Sequence, residues 1–365
     1  MGSLLLGRRV VVSEFGETPL DAIENHTALE AMAPPDPSEL AAGDVIIAIK
    51  SASVGWVDLL MSSGQYQHMA QPPYTPGLEY AGVVEWKGTA AGEHVAIGDE
   101  VLVDAFLAGP RSLGAYQRWG GFASYGVAPA EAVRKIPGRL SLDQACNLLG
   151  NYETAYHCLV ARGRVSAGET VLILGASGST GLAAVQLAKL LGATVIATGR
   201  DDRKLAVVRE EGADHVINTR EGAFAREVKA LTGGRGVDVV YDAVGGETSI
   251  ESLRCVAFGA RFLIVGWAST PFVARGKGGR GAPNANVLPT NLIMMKGLDV
   301  LGCPTAISTA QDPSIRAPRL AQVLAWAEEG AIAPRVSRVF PLDQYREAMH
   351  AKWRGEITGG CVLHP

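Results

Sequence analysis

From Glu169 onward, short apolar segments alternate with segments whose apolar residues repeat at helical spacing. "TVLILG", "TVIATG" and "VDVVYDAVG" have the continuous apolar character of buried strands. "TGLAAVQLAKLLG" and "RKLAVVREEG" have the period of helices, and each is followed or ended by glycine. Strands that alternate with helices predict parallel βαβ units in a doubly wound sheet, with right-handed crossovers.

Residues 8–145 follow a different pattern, in which prolines and glycines interrupt short alternating segments. Examples are "DVIIAIKSASV", "YAGVVEWKG" and "DEVLVDAFL". This pattern predicts an irregular β-barrel. A long helical pattern first appears at Ser141, where "SLDQACNLLGNYETAYHCLVARG" predicts one or two helices.

The chain has 365 residues, which suits two domains. We expect residues 1–147 to form the barrel domain and residues 148–307 the α/β domain. The tail, residues 308–365, is too small to fold alone, and we expect it to complete the barrel. The predicted fold class is therefore α/β, a barrel domain plus a doubly wound parallel sheet.

Composition excludes several classes of function. Hydrophobic residues make up 47% of the chain and charged residues 19%, which is typical of a globular protein. The net charge of −4 gives no basic face for nucleic acid. No apolar run reaches membrane length, and five dispersed cysteines predict buried, reduced thiols, so we expect a cytoplasmic protein without a membrane partner.

Three glycines follow the first strand of the α/β part at intervals of three: Gly175, Gly178 and Gly181. We expect the first to allow a sharp turn, the second to let the backbone approach a phosphate, and the third to let the helix pack against the strand. Backbone N–H groups around Ser179 and Thr180 then face a pyrophosphate. The spacing differs from the usual GxGxxG, but its position between a strand and a helix predicts dinucleotide binding.

The end of the second strand indicates which dinucleotide. A site for NAD usually has an acidic residue there that binds the ribose 2′-hydroxyl. Here the sequence is "ATGRDDRK", in which Arg200 and Lys204 are able to pair with a 2′-phosphate. Asp201 and Asp202 leave the NAD alternative open. We expect NADP(H) to be the cofactor.

Along nearly its whole length the chain resembles the zinc-independent medium-chain dehydrogenase/reductases of the quinone oxidoreductase branch. The stretches that carry the resemblance include "PPYTPGLEYAGVV", "GETVLILGASGSTGLAAVQLAKLLGATVIAT" and "LTGGRGVDVVYDAVGGE". The resemblance implies a GroES-like barrel, a Rossmann domain, a cleft between them that holds cofactor and substrate, and a homodimer formed through Rossmann sheet edges.

Zinc enzymes of the same superfamily carry a cysteine before the aspartate of the first motif and GHE in the second. Here the motifs read "VGWVD" and "PGLE", with Leu78 at the histidine position. Residues 104–124 contain no cysteine for a structural zinc. We therefore expect no metal. Without a Lewis acid, hydride transfer to a quinone or an activated C=C is easier than alcohol oxidation.

The resemblance also implies site residues. Tyr66, in "SSGQYQ", lies where enoyl-thioester reductases carry a proton donor; the alternative is a tyrosine that only packs over the nicotinamide or lines the pocket. Trp56 and Trp267 are expected to line the substrate pocket, with a core position as the alternative for Trp267. The remaining cofactor contacts are expected from Thr154, Val244, Val265, Gly266, Trp267, Leu301 and Cys303.

We expect an NADPH-dependent enzyme that reduces a small electron-poor acceptor, a quinone or an α,β-unsaturated carbonyl. One alternative is a trans-2-enoyl-thioester reductase acting on acyl-CoA. Another is a protein that binds NADPH without turnover. Residues 105–125 and 270–289 are longer than is usual for the family and are expected to be lids or solvated loops.

Overall fold

The computed structural model describes residues 5–270 and 286–365, which divide into two units. The first unit runs to Leu149 and resumes over Arg335–Pro365, whereas the second begins at Gly150 and ends at Pro334.

Within the described ranges the strands, in chain order, are β1 (Gly7–Val12), β2 (Thr27–Met32), β3 (Asp44–Ser53), β4 (Tyr80–Lys87), β5 (Glu100–Val103), β6 (Tyr125–Pro129), β7 (Val133–Lys135), β8 (Thr170–Leu174), β9 (Thr194–Gly199), β10 (His215–Asn218), β11 (Val237–Asp242), β12 (Val256–Ile264), β13 (Asp299–Gly302), β14 (Val336–Pro341) and β15 (Gly360–His364). The α-helices are α1 (Pro19–Asn25), α2 (Trp56–Ser62), α3 (Leu142–Ala145), α4 (Leu149–Tyr156), α5 (Ser179–Leu190), α6 (Asp202–Glu210), α7 (Ala225–Leu231), α8 (Glu247–Ser252), α9 (Thr290–Lys296), α10 (Thr305–Gln311), α11 (Arg316–Glu328) and α12 (Tyr345–Trp353).

The first unit is the predicted irregular β domain. Its larger sheet has the order β14-β15-β3-β4-β5-β7, with β6 paired to β3. Strand β3 lies at the centre, antiparallel to β4, β6 and β15, and its apolar residues Ile46, Ile47 and Ile49 are buried in one core with Val127 and Phe340. Strand β15 thus brings the end of the chain back to the domain that begins it.

The second unit is a parallel sheet in the order β10-β9-β8-β11-β12-β13, with helices in the connections. Counted from β8 as strand one, this is the 3-2-1-4-5-6 order of a dinucleotide-binding fold. The strand order reverses between β8 and β11. In such sheets, ligands bind outside the carboxyl ends of the strands at that reversal.

The structure differs from the sequence prediction near residue 256. The apolar spacing of "SIESLRCVAFG" favours a single helix, but α8 ends at Ser252 and β12 begins at Val256. Val256, Ala257 and Phe258 join the strand, consistent with the strand preference of β-branched and aromatic residues. Helices α1 and α2 were not predicted because seven residues hold too little of a helical period to detect.

The chain returns to the first unit at Arg335, later than the expected residue 308. Residues 308–334, predicted to complete the barrel, belong to the second unit. Within the second unit an ion-pair cluster joins α11 to α4. Arg316 Nη2 lies 2.8 Å from Glu153 Oε1, and Arg319 Nε lies 2.9 Å from Glu153 Oε2. Glu153 and Arg319 are both buried, so separating them would leave a desolvated charge without its partner.

All five cysteines are buried and free, as the sequence predicts. In the part of the chain that the structure describes, no helix combines the length and apolar character needed to cross a membrane.

Candidate functional site

The glycine turn follows β8, beside the reversal of strand order. Gly175 has φ of +69°, a conformation that favours glycine, and a Cβ there would lie 2.7 Å from Val244 Cγ2. A Cβ on Gly181 would lie 2.6 Å from the Gly175 carbonyl oxygen, so the helix packs against the turn as predicted. A Cβ on Gly178 would meet only that same oxygen, at 3.7 Å, and would otherwise face open space.

Helix α5 begins at this turn without a side-chain cap. Gly178 is its N-cap residue, and no side chain among the described residues accepts a hydrogen bond from its first N–H groups in the manner of a cap. The first turn of the helix contains Ser179 and Thr180, and the Thr180 hydroxyl donates to Asn151 Oδ1 at 2.9 Å. An uncapped helix N-terminus that backbone can approach closely fits an anionic group such as pyrophosphate.

A second turn at the reversal follows β11 and is organised by Asp242. The Asp242 side chain accepts hydrogen bonds from the N–H groups of Val244 and Gly245, both at 2.9 Å, and from the Ser249 hydroxyl. Burial raises the pKa of Asp242, and these donors oppose the shift. Asp242 was not predicted from the sequence, although an acidic residue at a strand end before two glycines was a usable signal.

The backbone after β12 adjoins this turn. The N–H groups of Val265 and Gly266 donate to the Asp242 carbonyl oxygen at 2.8 and 3.2 Å. A Cβ on Gly245 would lie 3.0 Å from Trp267 Cα. Trp267 is 47% exposed, so its side chain is not part of the core, which removes the alternative that the sequence left open.

The aspartates after β9 have structural roles. Asp201 caps α6, since its Oδ1 accepts from the N–H groups of Arg203 and Lys204 at 2.9 and 3.1 Å. Asp202 accepts from the Asn218 amide at 2.7 Å. Both carboxylates thus have intramolecular partners, which weakens the NAD alternative.

Three cationic residues, Arg200, Lys204 and Arg220, lie near the end of β9. Arg200 is exposed, and the part of the chain that the structure describes offers its side chain no partner. Arg220 adjoins it, with Nε donating to the Arg200 carbonyl oxygen at 3.2 Å. Lys204, in the first turn of α6, is half-buried. This end of the sheet therefore suits a phosphate.

Three other predicted contacts lie in the second unit. The Thr154 hydroxyl donates to the Gly150 carbonyl oxygen within α4. Leu301 belongs to β13, and Cys303 follows that strand, with its N–H donating to the Ile264 carbonyl oxygen at 3.0 Å. The buried Cys303 thiol donates to the Leu301 carbonyl oxygen at 3.5 Å.

In the first unit, Tyr66 lies in the bend after α2. Its half-buried ring packs against a small core cluster that contains Met61, Tyr74, Leu78 and Ala105. None of the described residues accepts or donates a hydrogen bond at the Tyr66 hydroxyl. A phenol held by its ring and free at its oxygen is able to act as a hydrogen-bond donor to a ligand.

Asp58 fixes the loop around this cluster. Its side chain accepts from the N–H groups of Gly55, Gly77 and Leu78 at 2.8, 3.1 and 3.0 Å. Burial raises the pKa of Asp58 to about 6, although these hydrogen bonds oppose the shift. Asp58 thus ties α2 to the segment before β4.

Trp56 begins α2 and stacks on Trp353 of α12. The ring centres are 5.1 Å apart and the planes are 4° from parallel. The half-buried Trp56 ring joins the two helices, and its predicted place in the substrate pocket stays a prediction.

Leu78 is buried in the cluster at the position where zinc enzymes have histidine. Over residues 5–270 and 286–365, no group of three or more histidine, cysteine, aspartate or glutamate side chains is arranged to hold a metal ion. The predicted loop 105–125 is bound to the first unit, with Gly121 N–H donating to the Gly77 carbonyl oxygen at 2.7 Å. Most of the other long loop, residues 271–285, lies outside the described residues.

Two family models match the chain. Residues 41–138 match the alcohol dehydrogenase GroES-like domain, and residues 179–312 match the zinc-binding dehydrogenase domain. These matches correspond to the first and second units.

Quinone oxidoreductases and quinone oxidoreductase-like proteins are among the proteins similar to this chain. A "quinone oxidoreductase-like protein 2 homolog" of Nematostella vectensis is 31% identical over 327 residues, which covers 89% of this chain and 82% of the relative. The quinone oxidoreductase of Homo sapiens is 29% identical and covers 98% of each chain. A mycobacterial structure complexed with NADPH has a TM-score of 0.78 at 27% identity, covering 98% of this chain and 100% of that one.

Proposed function

Since the chain belongs to the quinone oxidoreductase branch of the medium-chain dehydrogenase/reductases, we propose that it is an NADPH-dependent enzyme that reduces an electron-poor acceptor. The acceptor is a quinone or an α,β-unsaturated carbonyl compound, and the reaction uses no zinc. The observation that carries this proposal is the uncapped glycine turn at the strand-order reversal. Similarity to the NADPH-complexed mycobacterial structure supports the choice of cofactor.

The residues of the second unit fit the proposed cofactor. The turn from Gly175 to Gly181 would hold the pyrophosphate through backbone N–H groups of α5, where Gly178 leaves space for it. Arg200 and Lys204 would bind the 2′-phosphate. The remaining contacts would come from Ser179, Thr180, Thr154, Val244, Val265, Gly266, Trp267, Leu301 and Cys303.

Bound NADPH supplies a hydride to the acceptor carbon. The protein then has to stabilise negative charge on the acceptor oxygen and deliver a proton. We assign this role to Tyr66, because its hydroxyl has no competing partner among the described residues. A neutral phenol is sufficient for an enone, whose charge is delocalised as an enolate, so no Lewis acid is required.

The proposal includes a homodimer formed at the open edge of the second unit. Strand β13 is the last strand of the sheet. Near that edge Phe258 is 85% exposed, and Met294 and Met295 of α9 are also exposed. The Phe258 ring lies beside Gly297, the residue that follows α9, because a Cβ on Gly297 would be 3.1 Å from that ring. An exposed apolar group beside a sheet edge supports pairing with a second copy.

The test is NADPH oxidation, followed at 340 nm, with a benzoquinone, a small enone and a crotonyl thioester, each repeated with NADH. Turnover of at least one acceptor, faster with NADPH than with NADH, is expected. Loss of enone turnover in Tyr66→Phe would support the donor role, whereas an unchanged rate would make Tyr66 a pocket wall. Tight NADPH binding with no turnover would contradict the enzymatic proposal in favour of a binding protein.

A further inference from the structure

The small core cluster around Tyr66 is bordered by polar atoms that the protein leaves unsatisfied. Among the described residues, Gln65 Oε1, His68 Nε2, Tyr74 OH and Arg111 Nε are buried without a hydrogen-bond partner. Buried polar atoms in native proteins are almost always paired, so such a concentration calls for an explanation. A buried polar atom without a hydrogen bond is costly, which favours a ligand that supplies the missing bonds.

These atoms belong to one neighbourhood of the first unit. The rings of Tyr66 and His68 have centres 6.0 Å apart. Tyr66 and Tyr74 share their cluster with Ala105, the residue before Phe106. The Arg111 guanidinium lies 5.1 Å from the centre of the Phe106 ring, which places the arginine beside the cluster.

Arg111 has no carboxylate partner in the described part of the chain. The Arg111 charge lowers the pKa of Asp58 and the pKa of His68. Burial has the larger effect on both groups: it raises the pKa of Asp58 and lowers that of His68. Asp58, whose pKa Arg111 affects, already accepts three backbone hydrogen bonds. The Asp58 oxygens are thus occupied by backbone donors, and the Arg111 guanidinium keeps its charge without an ion-pair partner among the described residues.

The hydrogen-bonding groups left without partners indicate which kind of ligand would bind there. A guanidinium is a charged donor with a planar fork that matches a carboxylate. Burial raises the pKa of the Tyr74 phenol and lowers the pKa of the His68 imidazole, which favours the neutral form of each, and a neutral phenol or imidazole donates one hydrogen bond. Gln65 Oε1 is an acceptor. This set suits an organic acid better than a wholly neutral quinone.

We propose that Arg111 binds a carboxylate carried by the acceptor, and that the enzyme prefers electron-poor alkenes with this group next to the reacting C=C. His68 and Tyr74 complete the carboxylate's hydrogen bonds. Arg111 thus determines the preference for acceptors with a carboxylate, and it lies beside the cluster against which Tyr66 packs. This inference rests on the proposed reductase function and specifies its substrate class.

The test compares 4-oxopent-2-enoate with its methyl ester, two enones that differ in the carboxylate. Wild-type enzyme is expected to use the acid with a higher kcat/KM. Arg111→Met should lower kcat/KM for the acid about ten- to hundredfold, mainly through KM, and change the ester less than about threefold. Arg111→Lys should restore part of the loss, because it keeps the charge but not the fork.

Arg118→Met is the matched control, since Arg118 is in the same loop but is exposed and stacks on Trp119 at 5.0 Å. It should leave both substrates unaffected. Equal use of acid and ester by the wild type, or equal losses for both in Arg111→Met, would overturn the inference. If neither enone is reduced, the proposed function fails for enone substrates. Calorimetric binding of the acid to the NADP⁺-loaded protein then tests the carboxylate site separately from turnover. Binding lost in Arg111→Met but kept in Arg118→Met supports the site, and equal binding by all three proteins refutes it.

Discussion

Replacing Gly178 by alanine separates the cofactor role of the glycine turn from its role in packing. Gly178 has φ of −76° and ψ of 166°, which alanine adopts without strain. Its added Cβ would have its nearest neighbour at 3.7 Å, an ordinary van der Waals contact. The free energy of unfolding should therefore change by less than about 1 kcal/mol.

NADPH binding should respond very differently. The new methyl group would occupy the open space through which a pyrophosphate approaches the N–H groups of α5. Losing one charge-assisted hydrogen bond costs about 1.5–3 kcal/mol, so the dissociation constant should rise about ten- to hundredfold. Calorimetric titration with NADPH and urea unfolding of the unliganded protein measure the two effects independently.

Gly181→Ala is the contrasting variant. Its Cβ would lie 2.6 Å from the Gly175 carbonyl oxygen and 2.8 Å from Ala176 Cα, so the backbone must move and stability should fall by about 1–3 kcal/mol. If Gly178→Ala binds NADPH as tightly as the wild type while remaining folded, the glycine turn does not hold the pyrophosphate. If it unfolds as easily as Gly181→Ala, the packing argument is mistaken.

Three further predictions concern selectivity, pH and assembly. Arg200→Ala should weaken NADPH binding about tenfold and leave NADH binding unchanged, because only the former has a 2′-phosphate; equal effects on both in a fluorescence titration would reject the assignment. Burial raises the pKa of Asp58 to about 6, so the folded protein should lose about 3 kcal/mol of stability from this group as pH rises from about 4 to above 6. Urea unfolding of Asp58→Asn should lack this component, and a constant difference between the two proteins across that range would refute the shift. Phe258→Ser combined with Met294→Ser should convert the proposed dimer to monomers by light scattering, whereas Leu231→Ser, which changes an exposed apolar residue of α7, should not.

Much of the glycine turn could be predicted from the sequence because its requirements are local. The conformations of Gly175 and Gly181 follow from their places between a strand and a helix. The roles of Asp201 and Asp202 could not be predicted, because a carboxylate at a strand end suits a helix cap as well as a ribose. Only the hydrogen bonds of the folded chain distinguish the two.

The substrate side was much less predictable. Tyr66 was expected from a resemblance, but the neighbouring polar atoms of His68, Tyr74 and Arg111 were not. Arg111 is 45 residues from Tyr66 in sequence, and it reaches the cluster only because Ala105 and Phe106 pack there. Tertiary packing of this kind leaves no periodic or motif signal in a single sequence.

The most direct test of the central claim is to follow the transferred hydrogen. Two samples of NADPH are prepared, each deuterated at nicotinamide C4 on one face. The enzyme is incubated with each sample and the enone acceptor, and the product is examined by NMR. The account predicts deuterium at the β-carbon of the saturated product from one face only, with a solvent proton at the α-carbon. Oxidation of NADPH without deuterium in the product, or reduction at the carbonyl carbon instead, would contradict it.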